Sequence, residues 1–193
     1  MASNKSKILQ AASELLLEKG PSGLNVRAIA SLAGVSTIGI YSHFKGKQGV
    51  LDALYVEGFD RVSAAMSSAC EIDEPKTAVL QGVKNYRQVA GAHEATYRLI
   101  FGETNADYAP GPEARAAGLK AFGGLVELAS KLLPADARKT AKQRAALRIW
   151  ALVHGFLSLQ HHAVQGVVGF DDWGDQTQVA VECIVDNILA EGV

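Results

Sequence analysis

Between Asn25 and Lys47 the chain sets hydroxyls, an imidazole, a phenol and cations at spacings suited to a polyanion with hydrogen-bonding edges. Thr37, Ile38, Gly39, Ser42 and His43 fall on the expected outer face of a short helix that begins after Ser36, itself a further candidate DNA contact. Thr37 and Ser42 can hydrogen-bond base edges, and Ile38 can meet a thymine methyl. Gly39 has no side chain, which permits close backbone approach. Lys47 opens the following helix, where amides at the positive end and an ammonium can together hold a phosphate. Asn25 and Arg27, at the start of the preceding helix, could clamp a flanking strand. This is the chemistry of non-covalent DNA readout, in which phosphate contacts position the protein and base contacts specify sequence.

Such a surface needs elements that hold it rigidly. Ile29, Leu32 and Ala33 form one apolar stripe, Gly34 interrupts it, and Ile40, Tyr41 and Phe44 form a second. Ala30 is small where a second helix must cross closely, and Val35 and Ile40 are placed to pack the two helices together. Gly34 can take the left-handed conformation of a sharp turn. Asn25 and Ser36 are good N-caps, and Gly46 is read as closing the second helix. The sum is a helix-turn-helix, whose second helix fits the DNA major groove.

AlaGlyValSer at 33–36, TyrSerHisPhe at 41–44 and Lys47 together resemble the tetracycline-repressor (TetR) family of bacterial regulators, over roughly the first quarter of the chain. IleTrpAlaLeuValHisGly at 149–155 is similar to a Trp-His-Gly element in the ligand-binding domain of some members. The resemblance implies that Tyr41, His43 and Lys47 contact phosphates. It also implies an all-helical homodimer that binds double-stranded operator DNA and releases it when a small molecule, unidentified here, binds elsewhere.

Helix signals dominate the rest of the chain. A first helix is expected from about Asn4 to Lys19, ended by Gly20-Pro21, and a long fourth from Lys47 to about Cys70. A fifth should start at Pro75 and reach Gly91, and a sixth should run from His93 to Phe101. The turn-rich stretch 102–112 reads as a loop, and a seventh helix follows from Glu113 to Leu133, stopped by Pro134. An eighth is expected from Asp136 to Gln165, then a glycine-rich loop and a ninth from Asp175 to Ala190. Leu147, Ala151, His154, Leu157 and His161 share one side of the eighth; Val181, Ile184, Val185 and Ile188 do so on the ninth. Two long apolar-faced helices need a partner surface, and the resemblance makes them a four-helix dimer interface. The expected division is a DNA-binding domain over 1–50 and a ligand-binding and dimerisation domain over 51–193, joined through the fourth helix. An aromatic-lined pocket with few polar groups is the usual small-ligand site. Phe59, Met66, Tyr86 and Tyr97, with Phe101, Phe122, Trp150 and His154, are its candidates.

The net charge of −1 hides an asymmetry. Residues 1–50 carry six basic and two acidic side chains, while the other 143 carry 13 basic and 18 acidic. A basic head suits a polyanion, and an acidic remainder would be repelled by it. No apolar run reaches the ~18 residues that would suggest a membrane span. Cys70 and Cys183 stand apart without metal-ligand spacing and are read as reduced, buried thiols of a cytoplasmic protein. His161 and His162 point about 100° apart on a helix and make no metal site by themselves. GlyLys at 46–47 resembles the end of a phosphate loop, but Tyr41 and Gln48 replace residues that loop requires. His154 with Glu182 or Asp186 could be drawn as acid–base partners, yet no spacing selects them. No enzyme and no cofactor is expected. The competing reading is a helical ligand-binding or interaction module without sequence-specific DNA binding.

Overall fold

The computed structural model describes residues 3–101, 108–161, 169 and 171–191. Among them lie nine helices and no strand, as expected for an all-α chain. These are α1 (Asn4–Gly23), α2 (Val26–Ala33), α3 (Thr37–Phe44), α4 (Lys47–Cys70) and α5 (Pro75–Ala92). They continue as α6 (Glu94–Ile100), α7 (Pro112–Ser130), α8 (Lys139–His161) and α9 (Trp173–Glu191). No described helix is long and apolar enough to cross a membrane. Residues 102–107 of the expected loop, and 162–165 of the expected eighth helix, lie outside the described residues.

Packing divides the chain into two compact units: Met1–Arg61 with Ala90–Lys120, and Val62–Val89 with Ala121–Val193. In the first, Ile8, Ala11, Ala12 and Leu15 of α1 meet Ile29 and Ala30 of α2, Ile40 and Phe44 of α3, Val50, Leu51 and Leu54 of α4, and Leu99 of α6. The backbone leaves the helical region inside α1 at Gly20 (φ 63°, ψ −174°), so the regular helix ends where the sequence breaks. Leu32 does not join the buried stripe and is half exposed. At about 100° per residue the buried centre falls between Ile29 and Ala30, which turns Leu32 outward. Tyr41 is likewise 57% exposed, while Ile40 and Phe44, four residues apart, carry the buried side of α3.

A knot of hydrogen bonds ties the segment before α7 to the first turns of α4. The Asp52 carboxylate accepts from the Tyr108 hydroxyl (2.8 Å), the Gly111 amide (3.0 Å) and Gln48 (3.2 Å), and Gln48 also donates to the Ala109 carbonyl (2.9 Å). Burial, together with this bond to a carboxylate, pushes the Tyr108 phenol well above its ordinary value.

In the second unit α8 and α9 pack on each other. Ala146, Ile149, Val153 and Leu157 are buried from α8, and Trp173, Val181, Val185 and Ile188 from α9. Leu147 and Ala151, expected on the same side of α8 as Leu157, are exposed instead. Each lies more than about 100° around the helix from the centre of the buried strip, beyond what α9 covers. Of His161 only the backbone is described. Cys183 is exposed on α9, against the expected burial, and Cys70 is half-buried with its thiol pushed up mainly by burial. Ion pairs Lys76–Asp186 (2.5 Å) and Arg148–Glu191 (2.7 Å) join elements of this unit. Helix α7 stops at Ser130, three residues before the expected end, because Lys131, Leu132 and Leu133 donate three residues back to Leu128, Ala129 and Ser130. Those tighter bonds satisfy the last carbonyls without continuing the α-helix. Helix α8 starts at Lys139, after a turn in which Ala137 donates to the Pro134 carbonyl (2.9 Å).

Candidate nucleic-acid interface

Two caps and two left-handed residues fix the surface. The Asn25 side-chain oxygen accepts from the Ala28 amide (2.9 Å) and starts α2. At its other end Gly34 takes φ 64°, ψ 36°; its amide donates to the Ser31 carbonyl (3.3 Å), and the Val35 amide donates to the Ala30 carbonyl (3.0 Å). That pair of bonds is a Schellman ending, in which a left-handed residue is required and glycine carries no steric penalty. Ser36 then starts α3 by accepting from the Gly39 amide (3.1 Å). At the far end of α3 the left-handed position falls on Lys45 (φ 60°), whose amide donates to the Tyr41 carbonyl (3.0 Å). The sequence assigned that closure to Gly46, which follows with φ 113° and takes α4 off in a new direction.

Between these caps α3 presents a continuous outer face. Thr37, Ser42 and His43 are exposed, and Ile38 is 77% exposed, so it does not pack against α1. Gly39 is half-buried with only Ser36 and Val35 near the position of a β-carbon. The Ser42 hydroxyl donates to the Gly39 carbonyl at 3.4 Å, a long bond that a better acceptor can replace. The Tyr41 ring lies over Gly46, where an added β-carbon would sit 3.3 Å from it, while His43 makes the edge contact with Phe44 (6.3 Å between centroids). Arg27 and Asn25 are on α2 and its cap, and Lys47 is half-buried at the first position of α4. All ten sequence-selected residues thus belong to α2, α3, their caps and the first residue of α4. Ser36 and Asn25 have their side-chain acceptors engaged in capping.

The aromatic candidates separate into two groups. In the first unit the Tyr97 ring meets Phe101 at a tilt (4.7 Å), and Phe101 meets Phe59 (5.9 Å). The chain of rings continues through Tyr55 (5.0 Å from Phe59) to Tyr108 (5.9 Å from Tyr55). Sequence reasoning missed Tyr55 and Tyr108; Tyr55 lies four residues before Phe59, a helical spacing that could have found it. In the second unit Phe122 meets Trp150 (6.2 Å), which meets His154 (6.0 Å). Met66 is buried there against Gly82, and Tyr86 is buried too.

Residues 8–54 match the family of bacterial regulatory proteins described as the tetR family, and residues 79–183 match a tetracyclin repressor-like C-terminal domain. A 108-residue stretch is 31% identical to the "Probable HTH-type transcriptional regulator YttP" of Bacillus subtilis. That stretch covers 54% of this chain and about half (52%) of the relative's length. A protein of unknown function from Rhodococcus sp. RHA1 superposes with a TM-score of 0.78 at 25% identity, covering 97% of this chain and 96% of that one. The TetR family transcriptional regulator PfmR of Thermus thermophilus shares the fold, with a TM-score of 0.66 at 17% identity over 98% and 97% of the two chains.

Proposed function

Because this chain belongs to the tetR family of bacterial regulatory proteins, we propose that it is a homodimeric repressor released from its operator by a small molecule. The family is one of DNA-binding transcriptional regulators and not of enzymes. The observation that carries the reading is the outer face of α3, where Thr37, Ile38, Tyr41, Ser42 and His43 are all exposed between two firmly capped ends. Thr37 and Ser42 read base edges, Ile38 meets a thymine methyl, and Gly39 and Ser36 let the backbone approach closely. Tyr41, His43 and Lys47 hold one strand, and Asn25 and Arg27 the other. Residues 1–50 act as the DNA-binding domain, 51–193 as the ligand-binding and dimerisation domain, and the protein works in the cytoplasm.

Dimerisation through α8 and α9 is supported by the apolar side chains they leave in solvent: Leu147 at 51%, Leu159 at 46% and Val179 at 56% exposure. For the ligand, the two aromatic groups supply apolar walls, with Tyr97 in one and His154 in the other as polar members. Ligand and operator oppose each other by linkage: whatever factor the ligand takes from DNA affinity, DNA takes from ligand affinity. The helix that begins at Lys47 is the coupling element, since moving it moves a phosphate contact. The test is a mobility-shift titration on the DNA flanking the protein's own gene, at two salt concentrations with excess competitor. Binding that survives competitor is expected. Absence of any shift at low salt would leave a ligand-binding module in its place.

A further inference from the structure

We propose that Lys45, at the left-handed end of α3, is an additional phosphate contact beside Lys47. This rests on the DNA-binding reading above and extends it to a residue which that reading leaves out. Lys45 is the one residue other than glycine with positive φ among the described residues. At a helix end closed by a single bond from the left-handed amide, the fold by itself favours glycine, because any β-carbon crowds the neighbouring carbonyl. Strained backbone of this kind gathers at functional positions. Lys45 is exposed, and its ammonium has neither a hydrogen bond nor an ion pair among the described residues. The corner around it is cationic. The Lys5 ammonium stands 5.8 Å from the centre of the Phe44 ring, one residue before Lys45, and Lys47 begins α4 two residues after it. His43 lies exposed on the same turn. The two lysines flank Gly46 where the positive end of α4 begins, so both stand beside a site that favours an anion.

The competing explanation is structural: a cation at the C-terminal end of α3 offsets the negative end of that helix. The two differ in what substitution does. Lys45→Gly removes the charge and relieves the backbone, and Lys45→Arg keeps the charge. Thermal melting and the salt dependence of binding to double-stranded DNA are measured on the full chain for both variants and wild type. If Lys45 holds a phosphate, Lys45→Gly melts no lower than wild type and up to roughly 2–4 °C higher. Its log–log salt slope falls by about 0.9, and its affinity near 0.1 M salt falls roughly five- to tenfold. Lys45→Arg retains the wild-type slope. A Lys45→Gly slope equal to wild type, with or without a lower melting temperature, overturns the assignment and leaves the lysine as a helix-end charge. Wild type that binds no duplex at low salt overturns the DNA-binding reading itself, which is a separate result.

Discussion

Thr37 and Lys47 stand on one surface, yet substitution should separate their tasks. Lys47→Ala is expected to weaken all DNA sequences alike and to lower the salt slope by about 0.9; a titration with an unchanged slope would remove it from the phosphate contacts. Thr37→Ala should leave that slope in place and relax preference at one base pair, at a cost of about 1 kcal/mol of discrimination. Sites selected from random DNA report the difference, and identical selected motifs would refute it. Tyr108 gives a pH prediction. Its phenol is raised in the folded protein, so the stabilisation it lends is complete below the unfolded value near 10 and is lost as pH climbs past it. The alkaline fall in melting temperature should therefore be shallower in Tyr108→Phe. The capping roles of Asn25 and Ser36 were legible because they act on residues three positions away. The pairing of Tyr108 with Asp52 was not, because 56 residues separate them and no local pattern announces the bond.

At the scale of elements, two glycines set the geometry of the head for different reasons. Gly34 is needed for its left-handed φ alone, since nothing lies within 4 Å of an added β-carbon. Gly34→Ala should cost about 1–2 kcal/mol. Gly49 has no unusual φ, but a β-carbon there would sit 1.7 Å from the Phe44 carbonyl oxygen at the end of α3. Gly49→Ala must push α3 away from α4, and overpacking of this sort costs about 1–3 kcal/mol or more. It should lower the melting temperature further than Gly34→Ala does and weaken operator binding as well. Equal melting of the two variants would show that the α3–α4 junction yields. Helix identity was readable from the 3.6-residue period, while the end of α7 and the start of α8 were not. The last carbonyls of α7 chose three-residue bonds over the proline boundary that the sequence offered, and a turn closed by Ala137 on Pro134 delays α8. Lys45 was missed for a similar reason, since sequence reasoning gives left-handed ends to glycine.

For the whole molecule, the charge split and the exposed faces of α8 and α9 were both in the sequence, although the exposed positions themselves were not. Leu147 and Ala151 were grouped with the buried Leu157, a confusion that arises because apolar residues run almost unbroken around the middle of α8 and leave no polar side to orient it. Leu147→Glu puts a carboxylate into the proposed interface and should shift the protein toward monomer in sedimentation equilibrium, with operator affinity falling in step. A dimer of unchanged strength would place the interface elsewhere.

The core beneath the proposed DNA-binding surface is not contiguous in the chain. Leu99 of α6 belongs to the same buried cluster as Ile8 and Ile40, Tyr108 packs against it, and Ala90–Lys120 completes the unit that Met1–Arg61 begins. During synthesis the first sixty residues therefore leave the ribosome without a complete core. The outer face of α3 gains its full support only once residues near 120 have emerged. A fragment ending at Arg61 should be only marginally folded, and adding Ala90–Lys120 as a separate peptide should raise its helicity. On the proposed reading, the head becomes competent for DNA only after synthesis has passed Lys120.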